Sequence, residues 1–152
     1  MEKIMLKTSD SVAVFVIRIL LAILVIPHGL QKLFGWLGGY GFQNTIDFFA
    51  MEYGIWPVIT IPLILIESIG MVFLLFGIWA RIWAASAGLI FLFTMFVPHQ
   101  HLNFYLHNMG IESGDIAFQI IVIIFSACIT YFGAGKWSAD AMWYNYYRHT
   151  YS

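Results

Sequence analysis

Apolar residues along this chain gather into four runs separated by polar or glycine-punctuated stretches. The first, Ser11–Leu30, is broken only by Arg18 and, near its end, by Pro27 and His28. At about 1.5 Å rise per residue, some 20 residues cross a hydrocarbon core about 30 Å thick. The second run, Ile55–Gly77, contains one charge, Glu67. The third is Ile82–Pro98 and the fourth Ile116–Gly133. The pattern predicts one transmembrane domain, residues 1–152, with spans at about 11–30, 55–77, 82–98 and 116–133. The first run is read as a retained helix because Val25-Ile26-Pro27-His28 offers no small-x-small cleavage site.

The intervening stretches have patterns of their own. In residues 31–56, Gly35, Gly38, Gly39 and Gly41 mark a turn-rich loop. Beyond them Phe42, Ile46, Phe49 and Tyr53 recur at helical spacing, predicting a short amphipathic helix at the membrane surface. The brief break Ile78-Trp79-Ala80-Arg81 implies that the second and third helices are antiparallel neighbours. In the third run Ala84 and Gly88 form a small-xxx-small pair that admits another backbone. The tail 134–152 is rich in Trp and Tyr, which favour the headgroup layer, and Ser138 is placed to cap a short helix there. The expected fold is all-α: an integral membrane four-helix bundle, with short interfacial helices in the first outer loop and the C-terminal tail.

Composition agrees with lipid as the solvent. Of 152 residues, 61% are hydrophobic and 10% charged, and the mean hydropathy is +0.84; a water-soluble domain carries about 25% charged residues. A net charge of −1 gives no footprint for nucleic acid. Cys128 is the single cysteine, which excludes an internal disulfide, a CxxC pair and a cysteine zinc site within one chain. With four spans, Lys3, Lys7, Arg81, Lys136 and Arg148 share one side, against Lys32 on the other. The positive-inside bias then puts both termini in the cytoplasm and the histidine-bearing loop 99–115 outside.

Charged and polar residues inside the runs are the candidate chemistry. An unpaired charge at mid-bilayer costs at least about 2.5–3.5 kcal/mol on insertion scales. Arg18 lies roughly 10 Å above the inner end of span one and Glu67 roughly 15 Å below the outer surface. The two depths are close, so an Arg18–Glu67 pair inside the bundle is expected. His28, followed by Gln31 and Lys32, sits near the outer end of span one. Asp115, Gln119, Ser126 and Thr130 fall on one face of the fourth helix, which should point into the bundle. His99, His101 and His107, with Glu112 and Asp115 after them, are a weak metal-ligand set; interfacial histidines more often only hydrogen-bond. No nucleophile elbow, Walker loop or dinucleotide fingerprint is present.

The stretch His28-Gly29-Leu30-Gln31-Lys32-Leu33-Phe34-Gly35-Trp36, followed by Gly38-Gly39-Tyr40-Gly41, resembles the DoxX family of small membrane proteins. Arg18 and Glu67 match the family's arginine early in helix one and its glutamate in helix two. His101-Leu102-Asn103-Phe104-Tyr105 and Gly135-Lys136-Trp137-Ser138-Ala139-Asp140 resemble its later motifs. The likeness covers about residues 12–142; His99, His107 and the aromatic tail beyond Asp140 depart from it. It implies a four-helix bundle in the bacterial cytoplasmic membrane and an association with redox chemistry, since relatives include the membrane subunit of a thiosulfate:quinone oxidoreductase.

Two functions from different classes compete. The first is a quinone-linked redox subunit, with Arg18, His28 and Glu67 as catalytic candidates and Gln31, Lys32, His101, Asp115 and Gln119 as substrate-binding ones. Quinone carbonyls need hydrogen-bond donors, and quinol oxidation needs a proton acceptor. Electrons would come from a partner subunit of a redox complex or from a soluble donor; no covalently bound cofactor and no metal is expected. The second is a non-catalytic membrane anchor or assembly subunit. A small transporter is a third, less favoured reading and would require a homo-oligomer.

Overall fold

In the computed structural model, residues 8–96 and 116–150 are described, the last four as backbone only. His99, His101, His107, Glu112 and Asp115 lie outside them. The described residues form α1 (Val12–Phe34), a 3-10 turn (Trp36–Gly38), α2 (Phe42–Tyr53) and α3 (Pro57–Leu65). A π-helical turn (Ile66–Gly70), α4 (Met71–Phe76), α5 (Ala80–Thr94), α6 (Ile116–Phe132) and α7 (Ala139–Thr150) follow. Among these residues there is no strand. Two helical rods, α1 and the continuous Pro57–Phe76, are long and apolar enough to cross a membrane; α5 and α6 are shorter apolar helices.

Helix α1 runs four residues past the predicted end at Leu30. Pro27 lies inside it and removes one ladder hydrogen bond without breaking the rod. The stop comes at Gly35, whose φ of 71° is the left-handed C-cap conformation and whose N–H donates to the Gln31 carbonyl.

Close backbone approaches fix how the rods pack. A Cβ on Gly29 would overlap the backbone carbonyl of Glu67, and one on Gly77 would lie 2.6 Å from an Arg18 Nη. Residue 29 is therefore level with 67, and residue 18 with 77, so α1 and the second rod are antiparallel. Between those levels lies an apolar core that includes Leu21, Val25, Met71 and Leu74, closed from the other side by Ala84, Ala87, Val122 and Ile129. The neighbour admitted by the small residues of the third run is α6. Gly88 faces Ser126, where a Cβ would stand 2.9 Å from the serine's own, and Arg81 donates to the Thr130 carbonyl at 2.6 Å. These contacts make α5 and α6 antiparallel as well.

Candidate functional site

Two polar centres lie at opposite ends of that apolar core. In the first, Lys32 on α1 donates from Nζ to Oε2 of Glu67 in the π-helical turn. Both side chains are buried, and Lys32 also lies 5.9 Å from the Phe49 ring of α2. The π turn shifts the hydrogen-bond ladder by one residue where α1 comes closest, and such turns are frequent at functional positions. Ser68 satisfies part of the disturbed ladder by donating to the Ile64 carbonyl at 2.6 Å.

One turn before Lys32 on α1, His28 is buried against two aromatic rings. Its centroid lies 5.0 Å from that of Phe118 on α6 and 6.4 Å from that of Phe91 on α5. Neither imidazole nitrogen has a hydrogen-bond partner among the described residues. A neutral imidazole carries one donor and one acceptor, so two hydrogen-bonding positions are held inside apolar walls. Gln31 and Gln119 are also buried, as is Thr45, whose hydroxyl reaches the Lys32 carbonyl at 3.5 Å. Between the second rod and α5 opens an apolar cleft of about 340 Å³, lined by Phe49, Leu63, Ile66 and Phe93 among others. Phe49 and Ile66 join this cleft to the ion pair, the one through its contact with Lys32 and the other as the neighbour of Glu67.

The second centre is a structural clasp. Arg18 donates to the Ala134 carbonyl at 2.6 Å and to the Trp137 carbonyl at 3.1 Å. Asp140 accepts from the backbone N–H groups of Trp79 at 2.8 Å and Ala80 at 2.9 Å, satisfying orphan donors at the start of α5. Its own N–H donates to the Gly77 carbonyl, and Ser138 caps α7 by accepting from Ala141 N–H at 3.1 Å. Trp79 and Trp137 have φ of 49° and 52°, left-handed values that cost on the order of 1–3 kcal/mol each and persist where neighbouring contacts over-determine them. Burial pushes the Asp140 carboxyl above its ordinary range, against the opposing pull of the Ala80 and Trp79 amides and of Arg18 and Arg81.

The expected Arg18–Glu67 pair does not form: Glu67 pairs with Lys32, and Arg18 holds the clasp. Depths counted from Cα positions misplaced both groups. The antiparallel register sets Glu67 level with Gly29, about 16 Å along α1 from Arg18. Helical side chains also lean toward their own N-terminus. Arg18 thus reaches toward the N-terminal end of α1, Glu67 leans toward the opposite end of the bundle, and Lys32 leans back by a turn to meet it. The predicted polar face of α6 is buried at Gln119 and Ser126, with Thr130 half-buried. Sequence reasoning placed none of Phe49, Phe91, Phe118 and Asp140 in a polar centre. Asp140 alone left a signal, a carboxylate two residues after a capping serine. Among the described residues, no three His, Cys, Asp or Glu side chains gather closely enough to hold a metal ion.

A family model described as DoxX matches residues 13–100, more than half of the chain and the stretch that holds Arg18, His28, Lys32 and Glu67. No curated protein and no solved structure matches. With its long apolar helices and that match, the chain is a membrane protein and belongs to the DoxX family.

Proposed function

We propose that this protein crosses the bacterial cytoplasmic membrane four times, with both termini cytoplasmic, as a redox-linked subunit in which His28, Lys32 and Glu67 meet a quinone. The observation that carries this reading is a buried histidine whose two nitrogens have no partner among the described residues, one helical turn from a buried lysine–glutamate pair. Four crossings draw support from the antiparallel packing of α5 on α6 and from the third run, which continues apolar to Pro98. The lysine and arginine count across the two sides supports the orientation, and α2 and α7 fit helices lying at the two interfaces.

Chemically, His28 N–H and the Lys32 ammonium are donors for a quinone carbonyl, and Glu67 is the acceptor for a quinol hydroxyl proton once its ion pair with Lys32 opens. The apolar cleft beside Phe49 and Ile66 suits a prenyl chain entering from lipid. The chain's residues bind and move protons; electrons come from a partner subunit or a soluble donor. Arg18 leaves the set of catalytic candidates, because the clasp accounts for it. Binding of a quinone analogue to the purified protein, followed by fluorescence quenching, tests the site. His28→Ala and Glu67→Gln should each weaken binding by about tenfold, the upper end of one net hydrogen bond. Undiminished binding in both variants rules the site out.

The anchor reading is favoured by one observation, that the inner polar centre is wholly structural. Co-purification of a stoichiometric partner, with no quinone binding by the isolated chain, would decide for it.

A further inference from the structure

Between α5 and α6, on the face turned away from α1, lies an open groove of about 660 Å³. Arg81 and Thr130 stand at one end, Leu92 and Ile123 toward the other, and Ala127 lines it between them. Ser126 also lines it, only 1% exposed, with a hydroxyl that has no partner among the described residues. The geometry points to this groove as a binding site for one anionic phospholipid from the leaflet at the Arg81 end.

Three observations select that occupant. The first is length. Leu92 is eleven residues from Arg81, about 16 Å along α5, which is half of a hydrocarbon core about 30 Å thick. The groove covers one leaflet, whereas a partner helix would need a track across both. The second is the order of chemistry along it. The headgroup layer is about 5–8 Å deep on each side of a bilayer. Ser126 lies one turn, about 6 Å, deeper than Thr130, whose carbonyl holds Arg81 at the rim. That spacing puts a cation level with the phosphate and a hydroxyl donor level with the ester carbonyls, with Leu92 and Ile123 left for an acyl chain. The third is charge. Arg81 sets a guanidinium at the rim, and both it and Arg18 act electrostatically on Asp140 behind it.

This inference concerns a different face from the quinone site and stands or falls without it. The test is native mass spectrometry of the purified full chain offered equal amounts of phosphatidylglycerol and phosphatidylcholine with identical acyl chains. One retained lipid per chain is expected, with phosphatidylglycerol favoured roughly fivefold, the weight of one arginine near an anionic leaflet. Arg81→Gln should bring that ratio to one. Ala127→Leu fills the groove without touching Arg81 or the clasp and should abolish retention of both lipids. Ser126→Ala should lower retention of both while leaving their ratio unchanged. Equal retention of the two lipids by the unaltered protein overturns the proposal, as does a fivefold preference that survives Arg81→Gln. Retention unaffected by Ala127→Leu overturns it even if Arg81→Gln fails to fold, and a chain dimer that excludes lipid assigns the groove to a second copy instead.

Discussion

The pairing of Lys32 with Glu67, in place of Arg18 with Glu67, can be measured as a coupling energy. The perturbations are Lys32→Met, Glu67→Met, Glu67→Gln, Arg18→Gln, the double variant Lys32→Met/Glu67→Met, and Arg18→Gln/Glu67→Gln. Side-chain exposure in the ion pair is 10% for Lys32 and 2% for Glu67. Breaking a buried pair by removing one partner costs about 3–5 kcal/mol, because the surviving charge is left without compensation. An orphaned Lys32 can slide its flexible stem toward water, so Glu67→Gln belongs near the lower figure. An orphaned Glu67 has almost no exposed surface, so Lys32→Met belongs near the upper one. Removing both charges for apolar groups of similar volume should restore most of the stability. The Lys32/Glu67 cycle should therefore show a favourable coupling of about 3 kcal/mol or more. Arg18 and Glu67 are roughly 16 Å apart in register and share no partner, so their effects should add to within about 0.5 kcal/mol. Reversible unfolding in mixed micelles, followed by circular dichroism, reads all of these. A larger coupling for Arg18/Glu67 than for Lys32/Glu67 would refute the register, and a double apolar variant no better than the worse single would refute the pair.

Other consequences follow from the same contacts. Gly29→Ala puts a methyl group into the Glu67 carbonyl and should cost about 3 kcal/mol, the upper end of the overpacking range, in the same unfolding assay; a cost under about 0.5 kcal/mol would mean the backbones are not in contact. Arg18→Gln should lower stability by about 1–3 kcal/mol through the Ala134 and Trp137 carbonyls while leaving quinone-analogue affinity unchanged. A parallel loss of affinity would return Arg18 to the site. Asp140 predicts a pH dependence. A carboxyl that holds its proton more tightly folded than unfolded makes stability fall as pH rises from its ordinary value of 3.8 through the higher folded value. That component of the slope should vanish in Asp140→Asn, and identical pH–stability profiles for the two proteins would contradict the assignment.

Much of the fold was legible in the amino-acid order because its causes are local. Uninterrupted apolar runs gave the cores of α1, of the second rod, of α5 and of α6, and helical periodicity gave α2. Ser138 announced the start of α7 as a cap, whereas the stop of α1 at Gly35 came four residues beyond the expected end. Most residues of the two polar centres were legible too: Arg18, His28, Glu67 and Gln119 as polar groups inside apolar runs, and Lys32 just beyond the first run.

Which of those residues meet was not. The partner of Glu67 depends on the relative height of two rods, and that height is fixed where Gly29 meets the Glu67 backbone and Gly77 meets Arg18. It depends equally on the direction in which each side chain leaves its helix, which sends Arg18 toward the N-terminal end of α1 and brings Lys32 back to Glu67. A count of residues along one helix contains neither quantity. The tertiary structure also divided the charges between two tasks, one set stitching the tail to the start of α5 and the other standing beside a histidine whose nitrogens have no partner among the described residues. Composition and periodicity determine that there are helices for a membrane to receive. Only the packing of those helices decides which buried charges hold the fold together and which are available for chemistry.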